Sequence, residues 1–296
     1  MTDWGNSKHL FRVASGANAD DYHWTEVMMR DIPKNMIEGV SLHFYSVIDW
    51  KAKGPAAGFS RQQYFATIRQ ALRMEELIAG HEAVMDKYDP QKSIALVVDE
   101  WGGWYDVEPG TNPSFLYQQN TMRDAVLAGI TLNIFNNHCN RVRMANLAQM
   151  VNVLQSVILT NKQKIILTPT YHVMEMYNVH QDATMIPVDL KNIFYVEGKD
   201  SLPAISVSAS RDSRSVTHIS LVNIDPEKTN IVRIRWQGPV LKLENGRILQ
   251  SAAIGDHNSF DDPDKIKPRI FTGAKMKDNE LQVSLPPASV VVLTLH

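Results

Sequence analysis

The 296 residues carry 30 Lys and Arg against 32 Asp and Glu, a formal net charge of −2. That balance gives no electrostatic case for a nucleic-acid or anionic-membrane partner. With 44% hydrophobic and 21% charged residues the composition is that of a globular protein, long enough for one large domain or two ordinary ones. The single cysteine, Cys139, excludes an internal disulfide and fits a reducing compartment. Residues 1–10 are polar and lack the apolar core of a signal peptide, and no apolar run is long enough to span a bilayer. The expectation is a cytoplasmic protein with no membrane partner.

In chain order the first two-thirds alternate strand-like and helix-like segments. Residues 11–14 read as a short strand ending in Ser15, Gly16, Ala17 and Asn18, and 20–30 as a helix. Residues 39–45, GVSLHFY, read as a second strand. A long amphipathic helix follows over 60–88, with Ser60 as its N-cap. Residues 94–98 read as a third strand, 114–128 as a helix, and 130–135 as a fourth strand ending in Asn136, Asn137 and His138. The stripe Leu147, Met150, Val151, Leu154 and Val157 predicts an amphipathic helix over 144–159. Such a βα repeat implies parallel strands with right-handed crossovers. Past about residue 173, short strand-like runs separated by turn residues predict an antiparallel sandwich, with a linker-like stretch at 177–191.

Residues 94–105, IALVVDEWGGWY, are the most informative segment. A short apolar run suits a strand buried on both faces of a parallel sheet. Asp99 and Glu100 end it, where barrel enzymes place their chemistry. The indoles of Trp101 and Trp104 beside a carboxylate suit a sugar site, because an apolar ring can stack on the C–H face of a sugar. The plainer alternative is an acidic turn with core tryptophans.

Several segments together resemble the retaining α-L-arabinofuranosidases of glycoside hydrolase family 51: FRVASGANADDYHWTEVMM, GVSLHFY, VVDEWGGWYDVEPG, NIFNNHCNRVRMANLAQMVNVLQSVILT, HNSFDDPDKIKP and LPPASVVVL. Their order and spacing fit along essentially the whole chain. The resemblance implies strands five to eight of a (β/α)8 TIM barrel at 1–175, then a jelly-roll β-sandwich at 176–296. It places the nucleophile on Glu100. His43 and Tyr45, two residues apart and so on one strand face, match the family's residues beside the nucleophile, and Trp104 matches a tryptophan lining the arabinose subsite. Trp101 divides equally between core and sugar contact. Asp99 should point behind its strand, since neighbours along a strand face opposite ways. Thr168 stands near a sugar-binding glutamine of some members, and that role is not carried over.

The sequence departs from the family where the acid/base glutamate should stand. No Asn-Glu pair precedes the first strand, and Glu26 and Glu38 do not fall at strand ends. Retaining hydrolysis needs two carboxyls about 5 Å apart, and the chain supplies one. The expectation is therefore a fragment of an exo-acting α-L-arabinofuranosidase, acting in its parent on arabinose-containing saccharides without cofactor or metal. His138 and Cys139, adjacent and without partners, make a poor metal site. The alternative is a non-catalytic carbohydrate-binding or assembly module. Either way, strands near 11–14 and 130–135 would lack barrel neighbours, so the chain should self-associate or bind a missing N-terminal half-barrel.

Overall fold

The computed structural model describes residues 10–277 and 279–296. The N-terminal stretch read as lacking a signal peptide lies, apart from Leu10, outside them. Four parallel strands form one sheet in the order β1 (Val13–Asn18), β2 (Gly39–Ser46), β3 (Ala95–Gly103) and β4 (Val142–Leu147). Three helices connect them: α1 (Tyr22–Asp31), α2 (Arg61–Tyr88) and α3 (Met122–Asn137). Ser60 caps α2 as the sequence predicts. Its hydroxyl accepts from the Gln63 amide at 3.2 Å, and the Gln63 side chain accepts from the Ser60 amide at 2.8 Å. Within the described residues no helix is long and apolar enough to cross a membrane.

Two expectations fail together. Residues 130–135 are not a strand but the interior of α3, and the predicted helix over 114–128 is displaced to Met122–Asn137. The physical reason is burial on every side. α3 packs between the parallel sheet and an antiparallel one, so thirteen of its residues are buried and no polar face marks a helical period. Gly129 permits the approach: a Cβ there would stand 2.8 Å from a Val222 methyl. Asn136, Asn137 and His138 accordingly end a helix, not a strand. His138 is clasped at 3.0 Å by Glu82 and at 2.9 Å by Glu75 of α2, and these carboxylates push it up to about 9.

The predicted helix over 144–159 is also absent. Its first residues are β4, and Met150 and Val151 are exposed while Leu154 is buried, so the stripe covers no common face. Here apolar residues at i, i+3 and i+4 arise by coincidence across a strand and a loop. The first strand begins at Val13, somewhat later than the sequence placed it.

Beyond α4 (Pro169–Tyr177) the strands are short and mostly antiparallel. A six-stranded sheet includes Ile205–Arg211, Thr217–Asn223 and Ser289–Leu295, and a three-stranded sheet includes Asn230–Ile234 and Glu280–Leu285. Ile219, Leu221, Leu281, Val283 and Leu293 fill the core between them. The alternate residues Val222, Val290 and Val292 face α3 and join the main core. The central strands are thus buried on both faces, which explains their unbroken apolar runs.

Arg141, fully buried, ties the start of β4 to the end of α2 and the start of β3. It reaches Asp89 at 2.8 Å, the Ile94 carbonyl at 3.0 Å and Asp86. Burial alone would raise Asp89, but the Ile94 amide, Ser93 and Arg141 hold it below the usual carboxylate range. Arg141→Met is expected to strand Asp89 and to lower unfolding free energy by about 3–5 kcal/mol. Urea titration checks this; a loss under about 1 kcal/mol would show that water replaces the guanidinium.

Candidate functional site

Four side chains proposed from sequence converge at the C-terminal end of the parallel sheet. His43 lies directly opposite Glu100 in the β2–β3 register. Tyr45 donates its hydroxyl to Glu100 Oε2 at 2.8 Å, and His43 Nδ1 stands 3.7 Å from the same oxygen. Burial, then the Glu100 carboxylate, push the Tyr45 hydroxyl well above its ordinary value, so it stays protonated and donates. The Tyr45 ring meets Trp104 edge-on, with centroids 5.0 Å apart. Glu100 keeps 45% of its side chain exposed, open to a ligand.

Asp99 departs from expectation. It does not point behind the strand: its Oδ1 lies 3.1 Å from His43 Nε2. A β-bulge causes this. Between the paired positions Ser41–Val97 and His43–Glu100, β3 uses one residue more than β2, and a second register shift separates Val98 from Trp101 against β4. An extra residue breaks the two-residue alternation and re-aims a side chain. Both carboxylates therefore flank one imidazole. Burial raises Asp99 above the usual carboxylate range, with His43 opposing.

Trp101 is wholly buried against Phe135 at 5.4 Å, which gives it to the core and not to a ligand. Gly102 adopts φ +137°, and a Cβ there would come within 3.0 Å of Gln155, whose side chain accepts from the Gly103 amide. Thr168 caps α4, accepting from the Tyr171 amide at 3.2 Å. Glu38 pairs with Arg12 at the opposite end of β2, and Glu26 accepts from Tyr88 at 3.1 Å, so neither reaches Glu100's rim. Among the described residues no cluster of three His, Cys, Asp or Glu side chains has metal-binding geometry.

The sequence reading missed Trp50, Lys53 and Gln155. Trp50 crosses Trp104 at 5.5 Å, and the Lys53 ammonium lies 5.9 Å from the Trp104 ring centre. A tryptophan just past the end of the strand that carries His43 and Tyr45 was the available signal. Gln155 had none, since only the folded loop brings it under Gly102.

Residues 99–289 match the family model for the α-L-arabinofuranosidase C-terminal domain. An intracellular exo-α-L-arabinofuranosidase of Bacteroides ovatus is 43% identical over 98% of this chain and 57% of its own length. The crystal structure of the family 51 arabinofuranosidase from Xanthomonas axonopodis pv. citri superposes with a TM-score of 0.95 at 43% identity, covering 99% of this chain and 59% of that one. A family 51 α-L-arabinofuranosidase from Bifidobacterium longum, at 22% identity and TM-score 0.82, shares the fold over 98% of this chain and 60% of its own. The chain thus spans little more than half the length of these relatives.

Proposed function

Because the chain belongs to the α-L-arabinofuranosidases of glycoside hydrolase family 51, matching their C-terminal portion, we propose that it carries the nucleophile half of a retaining, exo-acting enzyme of that kind. The observation that carries this is Glu100 in the C-terminal half of β3, held at 2.8 Å by the Tyr45 hydroxyl. In this reading the four parallel strands are strands five to eight of a (β/α)8 barrel over 1–175, and residues 176–296 form a jelly-roll sandwich. The substrate is a terminal arabinofuranose on an arabinan- or arabinoxylan-type saccharide. Several relatives are intracellular arabinofuranosidases, which supports a cytoplasmic location.

Glu100 attacks the anomeric carbon as the leaving-group oxygen departs, giving a glycosyl ester, and water then cleaves that ester. Tyr45 and His43 hold the carboxylate in its attacking geometry, and Trp104 lines the arabinose subsite. The leaving oxygen needs a proton. Asp99 Oδ1 lies against His43 at 3.1 Å, and Glu26 and Glu38 are engaged by Tyr88 and Arg12; in this reading the acid/base carboxyl comes from outside this chain. An arabinofuranosyl donor whose phenolate leaves without a proton tests this directly. It should deposit one arabinosyl unit on Glu100, and the ester should persist because no base activates water. A mass-mapped label on another residue would sink the assignment.

A second reading, an assembly module, draws on the sheet edges. β1 and β4 each pair on one side only among the described residues. Leu10, Phe11 and Val13 near one edge, and Met144, Met150 and Val151 near the other, are exposed apolar groups. Free edges and apolar patches recruit partners, so the chain should dimerise or bind a complementary half-barrel. Light scattering at micromolar concentration checks this: a monodisperse 33.4 kDa species with a cooperative melt would count against it.

A further inference from the structure

Three aromatic rings run in contact from Glu100 outward. Tyr45 touches the carboxylate at 2.8 Å, Trp104 crosses Tyr45 at 5.0 Å and 76°, and Trp50 crosses Trp104 at 5.5 Å and 78°. The rings differ in what remains free. Trp104 has Tyr45 and Trp50 against it at near right angles and the Lys53 ammonium 5.9 Å from its centre. Trp50, the outermost, is 59% exposed. A lone exposed tryptophan signifies little; one that continues an aromatic path from a carboxylate at a strand end is differently placed.

The segment bearing Trp50 is also fixed. Asp49 accepts from the Lys51 amide at 2.8 Å and from the Ala52 amide at 3.1 Å, closing a turn around the indole. The Asp106 amide donates to the Gly54 carbonyl at 2.9 Å, joining this loop to the one after β3. The buried Arg123 donates to the Ala56 carbonyl at 3.0 Å while lying between the Phe59 and Tyr105 rings, 3.8 and 3.6 Å from their centres. Trp50 is therefore presented on an anchored turn, so little ordering entropy opposes ligand contact.

We propose that Trp50 is the stacking platform for the neutral sugar unit on the leaving-group side of the scissile bond. This rests on the reading of Glu100 and Trp104 as the arabinose subsite. An exo-acting site takes the terminal arabinose innermost, and the remaining chain must extend outward past the next ring in the array, which is Trp50. An uncharged indole face offers C–H stacking to a pentose and nothing to an anion.

The test titrates the full chain with L-arabinose and with α-1,5-arabinotriose, following the indole N–H signals by NMR. Trp50→Ala is expected to weaken arabinotriose binding about tenfold while arabinose binding and the melting temperature stay unchanged. Trp50→Phe should restore most of the loss. Equal arabinotriose affinity in wild type and Trp50→Ala would overturn the proposal, as would an equal loss for arabinose, which would move Trp50 into the inner subsite. Failure of the wild-type chain to bind either sugar would instead overturn the arabinose-subsite reading, and the proposal with it.

Discussion

Glu100→Gln should abolish covalent trapping by an activated arabinofuranosyl donor. The substitution keeps size and shape and still offers an oxygen to the Tyr45 hydroxyl, which lies at 2.8 Å from the native carboxylate. It removes the anion that forms the bond to the anomeric carbon. In covalent enzymes, loss of the nucleophile costs on the order of 10⁶-fold in rate, which for this slow labelling means no detectable adduct. Tyr45→Phe is the informative companion. It leaves the nucleophile but deletes a hydrogen bond to a charged group, worth about 1.5–3 kcal/mol. Labelling should slow by roughly ten- to a hundredfold and still map to Glu100. The readout is intact mass followed by peptide mapping. Undiminished labelling of Glu100→Gln would show that another residue carries the chemistry and would dismantle the site reading.

The isolated chain should release no more than trace arabinose from natural arabinan. General-acid assistance is typically worth about 10²–10⁴-fold, and a sugar alkoxide is a poor leaving group that needs all of it. Glu26 and Glu38 are engaged elsewhere, by Tyr88 and Arg12. Asp99 stands beside Glu100 with its Oδ1 turned to His43 Nε2, 3.1 Å away. A nitrophenyl leaving group needs little protonation, so slow turnover of that substrate alone is compatible with the assignment. Reducing-sugar release from arabinan decides the matter. Turnover near the ordinary enzyme range of about 10 s⁻¹ would mean that a carboxyl within this chain, or from a second copy of it, supplies the proton.

Sequence by itself determined the parts whose physics is local. The capping pair Ser60 and Gln63 marks the start of α2, and the short apolar run before Asp99 and Glu100 marks a buried parallel strand, which runs on past both acids to Gly103. The two-residue spacing of His43 and Tyr45 puts both beside Glu100, because that stretch of β2 keeps its alternation. Tertiary structure decided the rest. Residues 130–135, inside α3, read as a strand in sequence because the helix is enclosed by two sheets, and enclosure erases the periodicity that signals a helix. The helix expected over 144–159 dissolves for the opposite reason: its periodicity is real in sequence, but no surface receives it. Asp99 turns toward His43 only because β3 bulges between two partners with different registers. Trp50 joins the site only because the loop after β2 is bonded to the loop after β3. Alternation and capping act between residues a few positions apart, so the sequence displays them. Enclosure, register shifts and loop-to-loop bonds depend on residues far apart in the chain, and these exist only once the sheets have assembled.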